Sequence, residues 1–106
     1  MTNKIIRPFL AVTLFFSMQA HAHFPLMNCW FDASKNVVCE AGYSDASKAV
    51  DYTINLYDYD DNLVDKAQTN KASQVTFSQP QGDFYIVFDA GHESPVEVDV
   101  VEIKQK

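Results

Sequence analysis

Glycine is scarce in this chain, with three in 106 residues. None lies in a Gly-rich loop of the kind that cradles phosphate, and no serine sits in the strand-turn-helix elbow of a hydrolase. Basic residues are few as well: eight against fourteen acidic, for a formal net charge of −6. A small acidic chain argues against nucleic acid and anionic membrane surfaces as partners. There is one long apolar run, near the N-terminus, and it is shorter than the ~20 residues that span a bilayer. No convincing helical pattern, internal repeat or low-complexity segment is present. With two cysteines and three histidines in all, any chemistry rests on very few side chains.

The apolar run belongs to a segment laid out as a secretory signal peptide. Lys4 and Arg7 precede Pro8 to Phe16, and Ala20-His21-Ala22 is an A-x-A-type cleavage site. Residues 1–22 are therefore expected to be removed on export to the periplasm. Residues 23–106 would remain as a single small domain, with no membrane insertion of the mature chain. Loss of Lys4 and Arg7 moves the net charge from −6 to −8, since all fourteen acids stay. A cut after Ala22 leaves His23 first; a cut after Ala20 leaves His21 first.

In an exported chain, two cysteines usually form a disulfide. "CWFDASKNVVC" reads as two strands around the turn Asp32-Ala33-Ser34-Lys35-Asn36. That turn pairs Phe31 with Val37, Trp30 with Val38 and Cys29 with Cys39. The rival reading, a thiolate metal pair, needs a reducing compartment or a soft ion such as Cu(I). Downstream, Tyr52, Ile54 and Leu56 alternate with polar neighbours, and Leu63 and Val64 begin another strand after "DYDDN". Val75 and Phe77, then Phe84, Ile86 and Phe88, then Val96, Val98 and Val100 continue the period of two. This pattern predicts an all-β fold: one small antiparallel β-sandwich of about seven strands, Ig-like or transthyretin-like. Trp30 lies next to Cys29, and Phe84, Ile86, Phe88, Val96 and Val98 are the expected inward residues. "SDASKAVD" (Ser44 to Asp51) reads as a connecting loop. "DYDDN" lacks the glycine and the distal glutamate of an EF-hand and reads as a solvated hairpin turn.

An N-terminal His23 can chelate a metal through its α-amine and ring Nδ1. The amine's reference pKa is near ~8, so an ion displaces its proton readily at neutral pH. Nitrogen donors of this kind favour Cu(II) and Ni(II). A start at His21-Ala22-His23 would serve the same ions, with a histidine in third place. The plainer reading is that signal peptides end in small and polar residues and His23 is incidental. His92 follows a strong strand in "FDAGHESP", beside Gly91, and fits either a solvent-facing loop residue or a second ligand. With His23 it would give three nitrogens in a T-shape, the histidine-brace arrangement, to which Asp89 or Glu93 would add an oxygen.

Three stretches carry a family resemblance: the histidine start, Glu40-Ala41-Gly42-Tyr43-Ser44-Asp45, and Asp89-Ala90-Gly91-His92. In these the chain resembles the small periplasmic β-sandwich components of nickel and cobalt uptake systems. It also resembles the wider carboxypeptidase-regulatory-like, transthyretin-like group. Two features differ from that family. No C-terminal membrane anchor is expected, and the usual T-D-x-x-G turn reads Thr69-Asn70-Lys71-Ala72-Ser73. The resemblance implies a metal-binding accessory protein rather than an enzyme. It would hold or deliver Ni(II) or Cu(II), with a membrane metal transporter as partner. Histidine braces also occur in oxidative polysaccharide-cleaving enzymes, whose substrate faces exceed what 84 residues offer. The alternative from a different class is a structural or protein-interaction sandwich without metal, using exposed aromatics such as Tyr57, Tyr59 and Tyr85.

Overall fold

A computed structural model describes residues 23–106. The leader segment, its cleavage site and His21 lie outside the described residues. Eight strands are seen among those residues: β1 (Pro25–Phe31), β2 (Val37–Tyr43), β3 (Thr53–Asp58), β4 (Leu63–Gln68), β5 (Gln74–Phe77), β6 (Phe84–Phe88), β7 (Val96–Asp99) and β8 (Lys104–Gln105). They form two four-stranded sheets. One has the order β5-β2-β1-β8 and the other β4-β3-β6-β7. Neighbours are antiparallel except β1 and β8, which run parallel. The fold is the small β-sandwich that the period-2 alternation predicts. No described helix is long and apolar enough to cross a membrane.

The strands follow from side-chain alternation, because one face of each must leave water. In β6, Phe84, Ile86 and Phe88 are fully buried while Tyr85 and Val87 are half-exposed. Ile54 and Leu56 do the same in β3, and Val37, Cys39 and Ala41 in β2. Val98 is buried, whereas Val96, near the sheet edge, is only half-buried. Trp30 falls on the opposite face of β1 from Cys29, half-exposed, with the Lys106 amine 4.0 Å above its ring. The final alternation stops earlier than the valines suggest. At Val100 the chain turns into a short 3-10 helix, Val100–Glu102. Asp99 accepts from the Val101 N–H, and the Glu102 carboxylate accepts from the Asp99 N–H at 2.8 Å. This reciprocal cap satisfies two amides that a continuing strand would leave at the edge. It carries the chain across to the first sheet, where β8 joins β1 and adds an eighth strand to the seven expected.

Three of the turns between successive strands are built alike: the β1–β2 and β3–β4 hairpins and the β4–β5 turn that passes from one sheet to the other. In each, an Asx side chain at the first position accepts two backbone N–H groups, from the third and fifth residues. Asp32 binds Ser34 and Asn36, Asp58 binds Asp60 and Asn62, and Asn70 binds Ala72 and Gln74, all at 2.9–3.0 Å. In each, the fourth residue takes a left-handed backbone: Lys35 (φ 68), Asp61 (φ 65) and Ser73 (φ 64). Glycine is the usual tenant of that region. Here the Asx head supplies the local hydrogen bonds that hold an ordinary residue in it. The changed turn at Thr69 to Ser73 is one of these three.

The Cys29–Cys39 disulfide is formed, across the register in which Phe31, Trp30 and Cys29 face Val37, Val38 and Cys39. The Ser44–Asp51 loop carries the chain from the first sheet to the second. Hydroxyls of the β4–β5 turn pin it from inside. Buried Ser73 accepts from the Ala49 N–H at 3.0 Å, and buried Thr69 accepts from the Tyr52 N–H at 2.9 Å. At the same end, the rings of Tyr43, Tyr52 and Phe88 meet edge to face, with centroids 5.6–6.4 Å apart. This cluster ties the end of β2 to the end of β6 and so aligns the two loops that follow them.

Candidate metal site

The β1–β2 register runs on past the strands. Residues whose numbers sum to 68 face each other: Cys29 and Cys39, and finally Pro25 and Tyr43. One step further, the Phe24 N–H donates to Ser44 Oγ at 3.0 Å, and the Ser44 N–H donates to the Phe24 carbonyl at 2.9 Å. The next pair is His23 and Asp45. His23 Nδ1 lies 3.2 Å from Asp45 Oδ2. An even step from Cys29 and Cys39 puts this pair on the face that looks toward the second sheet.

Asp45 is itself held. Its Oδ1 accepts from both the Ser47 hydroxyl, at 2.6 Å, and the Ser47 N–H, at 3.0 Å. These donations keep the carboxyl below its ordinary pKa, and His23 adds a smaller pull. Charge-assisted bonds to the ionised form have that effect. Beside it, Tyr43 is pushed up to about 12, chiefly by partial burial, with Tyr52 adding to the shift.

From the other sheet comes the loop after β6. Gly91 takes φ 96, a conformation that suits glycine. His92 and Glu93 are exposed just beyond it. Together His23, Tyr43, Asp45, Ser47, Ala90, His92 and Glu93 line one open cleft of about 440 Å³. Both sequence-derived histidines therefore border the same space, and so does Glu93. Asp89 does not line it. Its Oδ1 accepts from the Gly91 N–H at 2.9 Å and shapes the turn instead. Among the described residues, no three His, Cys, Asp or Glu side chains converge closely enough to hold a metal ion. Side chains from both sheets thus face a shared space without closing on a common point.

Asp45 is the cleft residue that sequence reasoning passed over as a ligand. The signal was available: the disulfide register, continued by six residues, pairs it with His23. No family model, characterised protein or solved structure matches the chain.

Proposed function

We propose that this protein is an exported accessory protein that holds one Cu(II) or Ni(II) ion at a histidine start and passes it to a membrane metal transporter in the periplasm. The observation that carries the reading is the cleft that His23 and His92 share from opposite sheets. Processing after Ala22 would add the α-amine of His23, a donor that the uncut chain lacks. Amine and Nδ1 close a chelate ring within one residue. The imidazole of His92 would then come from across the cleft, with the loop after β6 drawn inward. Nitrogen-rich donor sets with a carboxylate suit tetragonal Cu(II) and Ni(II) better than Mg or Ca. The acidic surface lowers the work of bringing a divalent cation in. The reading is of a carrier and not of a catalyst.

The test is calorimetry on protein secreted through its own leader, with its first residue read by mass spectrometry. His92→Ala should weaken binding at least tenfold, ~1.4 kcal/mol. One glycine inserted before His23 should weaken it too, by displacing the amine. An ion at about one hundred times its Kd should stabilise the parent by ~2.7 kcal/mol in thermal melts. Equal affinity in parent and variants would put the ion elsewhere.

A second reading has its own observation. Edge strand β4 exposes Leu63 and Val64, each about half accessible, and among the described residues no strand pairs with its outer side. Such an edge suits a protein-interaction module. Absence of Cu(II) and Ni(II) binding would favour it.

A further inference from the structure

Resting on the metal reading above, we propose that Asp45 supplies the oxygen donor of the site, in place of Asp89 and ahead of Glu93. Three observations lead there. First, the spacing fits. First-row ions hold N and O donors at about 2.0–2.2 Å, so two adjacent donors on one ion stand about 2.8–3.2 Å apart. His23 Nδ1 and Asp45 Oδ2 are 3.2 Å apart. What is a hydrogen bond or ion pair without the metal has the span of two neighbouring ligands with it, the ion sitting to one side of the line that joins the two atoms.

Second, the carboxylate is divided in the way ligating carboxylates are. Ser47 donates twice to Oδ1, while Oδ2 faces the imidazole. Hydrogen bonds to one oxygen orient the other, and partners of this kind fix metal ligands in place. Asp89 has no such freedom, because its side chain closes the turn at Gly91 and lies outside the cleft.

Third, the pairing does not depend on loop closure. His23 and Asp45 lie two residues past the last pair, Pro25 and Tyr43, of the register that the disulfide locks, and they already stand 3.2 Å apart. Amine, Nδ1 and Oδ2 therefore make a three-donor set on one sheet, and His92 enters as the fourth donor from the other. An ion would meet most of its ligands before the loop moves. A site ordered in this way opens first at His92, and the coordination position freed there is open to a partner's ligand at the start of hand-over.

The experiment titrates CuCl2 into the secreted protein and its Asp45→Asn, Asp45→Ala and Ser47→Ala variants, in a non-coordinating buffer. Calorimetry gives affinity and the Cu(II) electron paramagnetic resonance spectrum gives donor type. Both Asp45 variants should bind at least tenfold more weakly. Their spectra should show a higher parallel g value and a smaller parallel copper hyperfine splitting, because a neutral water or amide oxygen replaces an anionic one. Ser47→Ala should weaken binding less and keep the parent spectrum. Circular dichroism of each variant checks the fold, and Asp45→Asn preserves the shape of the side chain should Asp45→Ala fail to fold. Parental affinity in Asp45→Asn overturns the proposal. So does weaker binding with an unchanged spectrum, since Asp45 would then act only through its charge. A parent that binds neither Cu(II) nor, in a parallel titration with NiCl2, Ni(II) overturns the metal reading itself, a result distinct from either.

Discussion

At the scale of single residues, the scarcity of glycine has a measurable consequence. Lys35 is exposed and sits at φ 68 with no side-chain role in its turn. A left-handed backbone costs an ordinary residue ~1–2 kcal/mol. Glycine removes that cost but gains freedom in the unfolded chain, which offsets ~0.4–1 kcal/mol. Lys35→Gly should therefore stabilise the fold by ~0.5–1 kcal/mol, raising the thermal midpoint by about 2–8 °C. Ser73→Gly should do the reverse despite the same φ, because it strips the buried Ala49 N–H of its acceptor, a loss of ~1–3 kcal/mol. Chemical denaturation of the two variants checks the opposite signs. The phenols give a second prediction. Tyr59 donates to Asp99 and Tyr85 to Asp61, both at 2.7 Å, and each is raised to about 12; Tyr43 is raised likewise. Free tyrosine ionises near ~10. The folded values lie above it, so the stability these contacts contribute is whole below about pH 10 and is lost as pH rises through about 12. At a pH of about 11, where free tyrosine is mostly ionised, phenolate absorbance should account for no more than two of the five tyrosines. Full absorbance there, with the fold intact, would dismiss those hydrogen bonds.

At the scale of elements, β6 is where packing and site meet. Phe88 is fully buried, receives the rings of Tyr43 and Tyr52, and ends the strand just before the loop of His92. Phe88→Ala should lower stability by ~3–5 kcal/mol. It should also weaken any ion held in the cleft, because the ends of β2 and β6 would lose their common anchor. A thermal midpoint that does not move would mean the aromatic cluster carries no weight. Most strands were legible in the sequence for a plain reason: one face is apolar and the other polar, so a period of two is written along the chain. The hairpin register was legible because a five-residue turn leaves one pairing of the cysteines. The end of β7 was not, since Val100 and Val101 keep the apolar rhythm. The competing signal was Asp99-Val100-Val101-Glu102, a capping pattern that outweighs two valines at a sheet edge. Parallel β8 was harder still. Its two residues are Lys104 and Gln105, both exposed, and its position comes from the corner before it. The cleft was legible in its histidines and in Glu93. Asp45 needed the register to be carried beyond the strand ends.

For the whole molecule, one covalent link and two hydroxyls organise what the small core leaves unsettled. The disulfide closes a separation of ten residues within the core. The double variant Cys29→Ala, Cys39→Ala should lose ~2–3 kcal/mol by urea titration. A large share of the ~5–15 kcal/mol typical of a domain would then be gone. An unchanged urea midpoint would show that the hairpin holds its register without the bridge. The crossover between the sheets is fastened differently. Ser44–Asp51 has no strand of its own, yet Ala49 and Tyr52 donate inward to Ser73 and Thr69, and Asp51 donates to the Thr69 carbonyl at 3.1 Å. In the language of hydrogen exchange, this loop belongs to the slow part of the protein. The amides of Ala49 and Tyr52 should take up deuterium on the timescale of the β3 and β6 ladders, because both wait for the same event, the lifting of the β4–β5 turn out of the interior.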